Sequence, residues 1–158
     1  MNILKAGNTV SKIQRREENV ISIELTSNQK RLWFLEKLYP DSAAYSVPQA
    51  YVLEGNLDNV LLENSINKVV EHHEVLRTIF YEEEGIPKRR VLPFRRGKLK
   101  IIDLREIDDE LKVLKRVNEY CKKPINLNTE FAFQFYLFSV NNNRNILLLN
   151  FHHIIFDG

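Results

Sequence analysis

With 158 residues, the chain is long enough to form one domain with a core of its own. Apolar residues make up 44% and charged residues 28%, proportions that exclude a disordered or fibrous chain. The 23 basic and 21 acidic side chains nearly cancel, and a net charge of +2 excludes strong bulk attraction to nucleic acid or membranes. The lone cysteine, Cys121, cannot build a disulfide framework and suits a reducing compartment. It sits in a helical pattern beside Leu114 and Val117, so a packed side chain is expected rather than a reactive thiol. No apolar run is long enough to span a bilayer and the N-terminus lacks a secretory stretch, so a cytoplasmic location is expected.

Residues 1–22 are polar and weakly patterned, and read as a leader or short interaction segment. Helix signals begin at Thr26, which has capping-box spacing to Gln29. Leu32, Leu35 and Leu38 give that helix its apolar stripe, joined by Trp33 and Phe34, and Pro40 stops it. A strand from Val47 to Leu53 follows. A second helix is capped by Asp58 and runs to about His73 or Leu76, with Leu62, Ile66, Val69 and Val70 on its buried face. Residues 78–92 read as a hairpin turning around Gly85-Ile86-Pro87, and Leu99 to Ile102 as a short strand. The basic stretch Arg89, Arg90, Arg95, Arg96, Lys98 and Lys100 reads as a solvated hairpin edge rather than an RNA site.

A third helix is expected over about Asp108–Cys121, with Leu111, Leu114, Val117 and Cys121 on one side. In residues 131–140, Phe131, Phe133, Phe135, Leu137 and Val140 are expected to face one way, and Tyr136 and Phe138 the other. A turn at Asn141–Asn145 leads into the apolar run Ile146–Phe151. Two strands with so few polar faces belong in the middle of a covered sheet. The expected fold is a mixed α/β (α+β) two-layer sandwich of about three helices on one sheet, filling residues 23–158.

The apolar run delivers His152 and His153, followed by Asp157 and Gly158. Burying imidazoles and a carboxylate is costly unless each finds a partner. Neighbours on extended backbone point to opposite sides, so one histidine can face a cavity while the other packs inside. Asp157 needs a cation or several donors, and Gly158 permits a tight turn. A pair of core histidines at a strand end is the plain alternative. Zinc is poorly supported: His72-His73 and His152-His153 are adjacent pairs without helical ligand spacing, and Cys121 completes no signature. No Gly-x-Ser-x-Gly elbow supports a hydrolase.

The stretch His152 to Gly158, His-His-Ile-Ile-Phe-Asp-Gly, resembles the HHxxxDG motif of nonribosomal peptide synthetase condensation domains and their acyltransferase relatives. Leu25 to Glu36 is similar to the opening helix motif of that family, and Glu71 to Phe80 to its second motif. Tyr45-Ser46-Val47-Pro48 fits the loop after the first helix. The resemblance implies the N-terminal lobe of a chloramphenicol acetyltransferase-like pair of lobes with a tunnel between them. It implies amide formation between an acyl or peptidyl donor and an aminoacyl acceptor, each brought by a carrier protein on a phosphopantetheine arm. The lobe itself is expected to bind no cofactor and no metal.

By the same resemblance His153 is the active-site residue, with His152 and Gly158 beside it, and Asp157 pairs structurally with Arg77. The C-terminal lobe is absent from this sequence, so an isolated chain is expected to have little condensation activity. A carrier-binding lobe without chemistry and a lobe of a different HHxxxDG acyltransferase are the alternatives. The opening motif and Leu76-Arg77-Thr78 speak against the latter, and His152-His153 against a cyclisation domain, which carries aspartates there.

Overall fold

The computed structural model describes residues 22–40, 42–127 and 131–156; residues 1–21 of the leader, Asp157 and Gly158 lie outside them. In chain order the elements are β1 (Ile23–Glu24), α1 (Ser27–Leu38), β2 (Ser46–Glu54), α2 (Asn59–His72), β3 (Thr78–Glu83), β4 (Ile86–Val91), β5 (Lys100–Asp103), α3 (Glu110–Cys121), β6 (Phe133–Asn141) and β7 (Arg144–His152). The three helices start where side-chain oxygens satisfy their first backbone donors. Thr26 and Gln29 form the reciprocal capping box of α1, while Asp58 and Asp109 each accept two N–H groups, of α2 and α3 respectively.

The α/β class stands as expected, but the strands divide between two sheets rather than one. β1, β4 and β3 form a small antiparallel sheet with β4 in the middle. β2, β7, β6 and β5 form the larger one, in which β5 runs parallel to β6 and the other pairs are antiparallel. The hairpin cannot join the larger sheet through β4, because β1 occupies that edge. This also corrects the reading of the basic stretch. Arg89 and Arg90 are half-buried on a central strand, with Arg90 stacked 5.4 Å from the centre of the Tyr81 ring. Only Arg95, Arg96, Lys98 and Lys100 are solvated. The β3–β4 turn falls at Glu84-Gly85, both at positive φ, one residue earlier than expected. That pairing suits the right-handed twist of a two-residue hairpin, and Pro87 lies inside β4 opposite Glu82.

As expected, β6 and β7 are the inner strands of the larger sheet. Tyr136, Phe138, Ile146 and Leu148 share one face and bury against Val113 and Val117 of α3, with Leu104 below. Each fully buried side chain of this size contributes roughly 1.5–3 kcal/mol. The face of α3 differs from the expected one: Leu111 is 77% exposed and Leu114 half-exposed, whereas Val113 and Val117 are buried. Val140 packs with the α3-side cluster, contrary to the expectation, because period-two alternation puts it on the face of Tyr136 and Phe138 rather than that of Phe135 and Leu137. On α2, Val69 is exposed and the one fully buried side chain is Asn67. Cys121 is partly buried beside the α3 cluster, and burial raises its thiol pKa.

A second cluster lies at the other end of β6 and β7. Leu25, Leu32 and Trp33 pack on Phe80, Ile125, Leu127, Ala132 and Ile154. This cluster joins α1 to the small sheet and to the turn that follows β7.

Candidate functional site

β7 ends at His152, where its N–H donates to Ala132 O (2.8 Å) while Ser46 of β2 lies opposite in the ladder. One residue further the chain is still tied to the same neighbourhood, since His153 N–H donates to Tyr45 O at 2.8 Å. It then turns, with Ile155 N–H donating back to His152 O. The alternation of extended backbone therefore separates the two rings. His152 is 1% exposed, whereas His153 is exposed.

The His152 ring is hydrogen-bonded through one nitrogen and turns the other towards a carboxylate. Nδ1 accepts the Ile154 N–H at 3.1 Å, so the proton of the neutral ring sits on Nε2. Nε2 lies 3.5 Å from Glu36 Oε2 on α1, and the Glu36 side chain is buried as well. Burial, reinforced by the neighbouring His153, pushes the His152 pKa down to about 4, so the ring is neutral at pH 7.

α1 grips the same turn from outside. The Gln29 amide accepts from Thr26 N–H to complete the cap, and its Nε2 donates to Ile154 O at 3.3 Å. Leu32 and Trp33 pack on Ile154 within the α1 cluster. These are contacts to the segment that carries the exposed ring. They connect the opening motif, the Tyr45 loop and the histidine pair, three stretches far apart in sequence.

His153 faces an open cleft of about 450 Å3. Its walls include Asn28, Gln29 and Arg31 of α1, Tyr45, Val75 and Phe156. Another cleft, of about 520 Å3, lies beneath α2 and includes neither histidine of the pair. Arg77 ends the single helical turn Glu74–Arg77; its Nε donates to Val70 O (3.2 Å) and its Nη1 to Leu92 O (2.7 Å). Asp157 and Gly158 fall outside the described residues, and with them the expected Arg77–Asp157 pairing. His72 and His73 stand edge to face at 5.2 Å at the end of α2. Among the described residues no three His, Cys, Asp or Glu side chains are grouped as metal ligands, and no helix is long and apolar enough to cross a membrane.

Sequence reasoning missed Glu36 and the part played by Ala132. Glu36 carried a usable signal, because it stands four residues after Leu32 and so shares its buried face. Gln29 was legible as a cap but not as a tie to Ile154.

The fold has clear counterparts among solved structures. The starter condensation domain of rhizomide synthetase matches over 87% of this chain and 33% of its own, with a TM-score of 0.78 at 24% identity. The first condensation domain of the calcium-dependent antibiotic synthetase, solved with a substrate analogue, matches over 88% and 35%, with a TM-score of 0.75 at 25% identity. A linear gramicidin synthase of Brevibacillus parabrevis is 37% identical over 139 residues, which is 86% of this chain and 3% of that protein. Surfactin synthase subunit 2 of Bacillus subtilis (strain 168) is 32% identical over 85% of this chain and 4% of its own length. The profile of the Condensation domain family matches residues 21–158, and the chain belongs to that family. It spans a few per cent of these synthetases and about one third of the solved domains.

Proposed function

We propose that the chain is the N-terminal lobe of a condensation domain and contributes His153 to amide formation in nonribosomal peptide synthesis. The observation that carries this reading is the opposite placement of two adjacent histidines: His152 locked inside and His153 presented to a cleft. In the proposed reaction the acceptor amine attacks the carbonyl of the donor thioester. A tetrahedral intermediate forms, the C–S bond breaks, and the thiolate leaves with the proton lost by nitrogen. The products are an amide and a free thiol. Both substrates arrive as thioesters on the phosphopantetheine arms of donor and acceptor carrier proteins, and the lobe binds no cofactor of its own. A location in the cytoplasm fits this role.

His153 need not be a strong base. An α-amine has a pKa near ~8, so freeing it at neutral pH costs only about 1 kcal/mol. Orienting the amine and hydrogen-bonding the developing charge are the larger contributions. His152 acts behind it as a positioning residue, holding the turn by accepting the Ile154 N–H. This reading assigns Gly158 a place beside the reacting carbonyl and Asp157 a pairing with Arg77. Two of the five guanidinium N–H donors of Arg77 are taken by carbonyls of described residues.

An open half-cleft neither excludes water nor holds two substrate arms, so catalysis awaits the C-terminal lobe. The test is an amide-formation assay with both carrier proteins loaded. A complete domain carrying this lobe should turn over, and His153→Ala should remove most of that turnover while carrier binding persists. Normal turnover by the variant would overturn the role, and robust turnover by the 158-residue chain alone would overturn the need for a second lobe.

A further inference from the structure

Gln29 is the third residue of α1, half-buried, and its side-chain amide is bound at both ends. Oε1 accepts the Thr26 N–H at 3.2 Å and closes the capping box. Nε2 donates to Ile154 O at 3.3 Å, a contact that spans 125 residues of chain. The two partners allow the amide one orientation, because a backbone N–H can only donate and a backbone carbonyl can only accept. Exchanging its oxygen and nitrogen would lose both bonds.

A capping box uses only the oxygen. Glutamate serves at that position as well as glutamine, and its charge also suits the positive end of the helix dipole. The nitrogen of Gln29 therefore adds nothing to the cap, and its bond goes to the turn that carries His153. Ile154 N–H already donates to His152 Nδ1, and His153 N–H to Tyr45 O. With Gln29 on the carbonyl, the N–H and the C=O of the residue after His153 are both held. Gln29 also lines the cleft that His153 faces.

We propose that Gln29 is a positioning residue for amide formation: its amide holds the Ile154 carbonyl and so sets where the His153 ring stands in the cleft. This role rests on the reading of His153 given above. A reacting group misplaced by about 1 Å can lose about a hundredfold in rate, so a single tie to the turn has room to matter.

The test uses a complete domain carrying this lobe, with both carrier proteins loaded. Gln29→Glu keeps the acceptor for Thr26 N–H but sets a carboxylate oxygen against the Ile154 carbonyl. Its urea unfolding should stay close to that of the wild type, since the helix dipole offsets the lost bond. Its kcat should fall about tenfold or more, with KM for each loaded carrier protein unchanged. Gln29→Lys keeps a donor that reaches the carbonyl, loses the acceptor, and puts a cation at the wrong end of the dipole. It should be the less stable of the two variants and the faster. A residue that served the cap alone would give the reverse order, turnover following stability. Amide hydrogen exchange reads the turn without substrate: Ile155 N–H, which donates to His152 O, should exchange about tenfold faster in Gln29→Glu, while Leu148 N–H in β7 keeps its rate.

His153→Ala in the same domain separates the two ways of failing. Turnover retained by that variant would remove the reading of His153 and this role with it. An inactive His153→Ala beside a Gln29→Glu of wild-type kcat would overturn the role of Gln29 alone. So would a Gln29→Lys slower than Gln29→Glu, or an unchanged exchange rate at Ile155.

Discussion

His152 is a titratable group held inside the protein, and its environment sets a sign for stability against pH. Its pKa falls from an ordinary 6.5 to about 4 in the folded state, chiefly through burial and secondarily through His153. Below pH 6.5 the unfolded chain takes up a proton that the folded chain refuses, so stability falls as pH drops from 6.5 towards about 4 and is flat above. The whole contribution is about 3 kcal/mol. The groups facing the ring are Glu36, His153 and, with ring centres 6.2 Å apart, Tyr45. Urea unfolding of the wild type and of His152→Gln across that range should show a shallower slope in the variant. Equal slopes would mean that the ring is not held neutral. The sequence made the divergence of the two histidines legible, since strand alternation requires it. Which ring goes inward was not legible, because that depends on the pairing of Ser46 with His152 and on the bond from His153 to Tyr45.

At the scale of elements, α3 shows how an apolar pattern can admit two answers. Residues 111, 114, 117 and 121 are spaced as a helical face, and so are 113, 117, 120 and 121. Only packing against Phe138, Ile146 and Leu148 selects the second. Leu111→Gln should therefore change stability by no more than about 0.5 kcal/mol. Val113→Ala, which removes two methyl groups from a side chain 1% exposed, should cost about 2 kcal/mol. Thermal or urea unfolding of the two variants decides it, and a larger loss at Leu111 would reverse the assignment of faces. The starts of α1 and α2 were readable, because Thr26 and Asp58 act through local bonds alone. The split into two sheets was not. β1 is two residues long and has no pattern of its own, yet its pairing with β4 decides which sheet the hairpin joins.

Across the whole molecule, the two apolar clusters are strung on the same strands. β6 reaches from Ala132 beside its start to Tyr136 and Phe138, and β7 runs from Ile146 and Leu148 to the turn bearing Ile154. Neither cluster can come apart without loosening the strands that support the other, which favours one cooperative transition. The chain has a single tryptophan, Trp33, which is 4% exposed in the cluster behind the histidine turn, with the Lys37 ammonium 5.3 Å from its ring centre. Its emission therefore reports the wall that backs His153, whereas circular dichroism also counts α3 on the far cluster. The two signals should trace one superimposable urea curve, and two separated curves would refute the cooperative transition. A blue-shifted band from Trp33 then becomes an optical gauge of whether α1 still braces the ring that faces the cleft, readable in a cuvette without substrate or carrier protein.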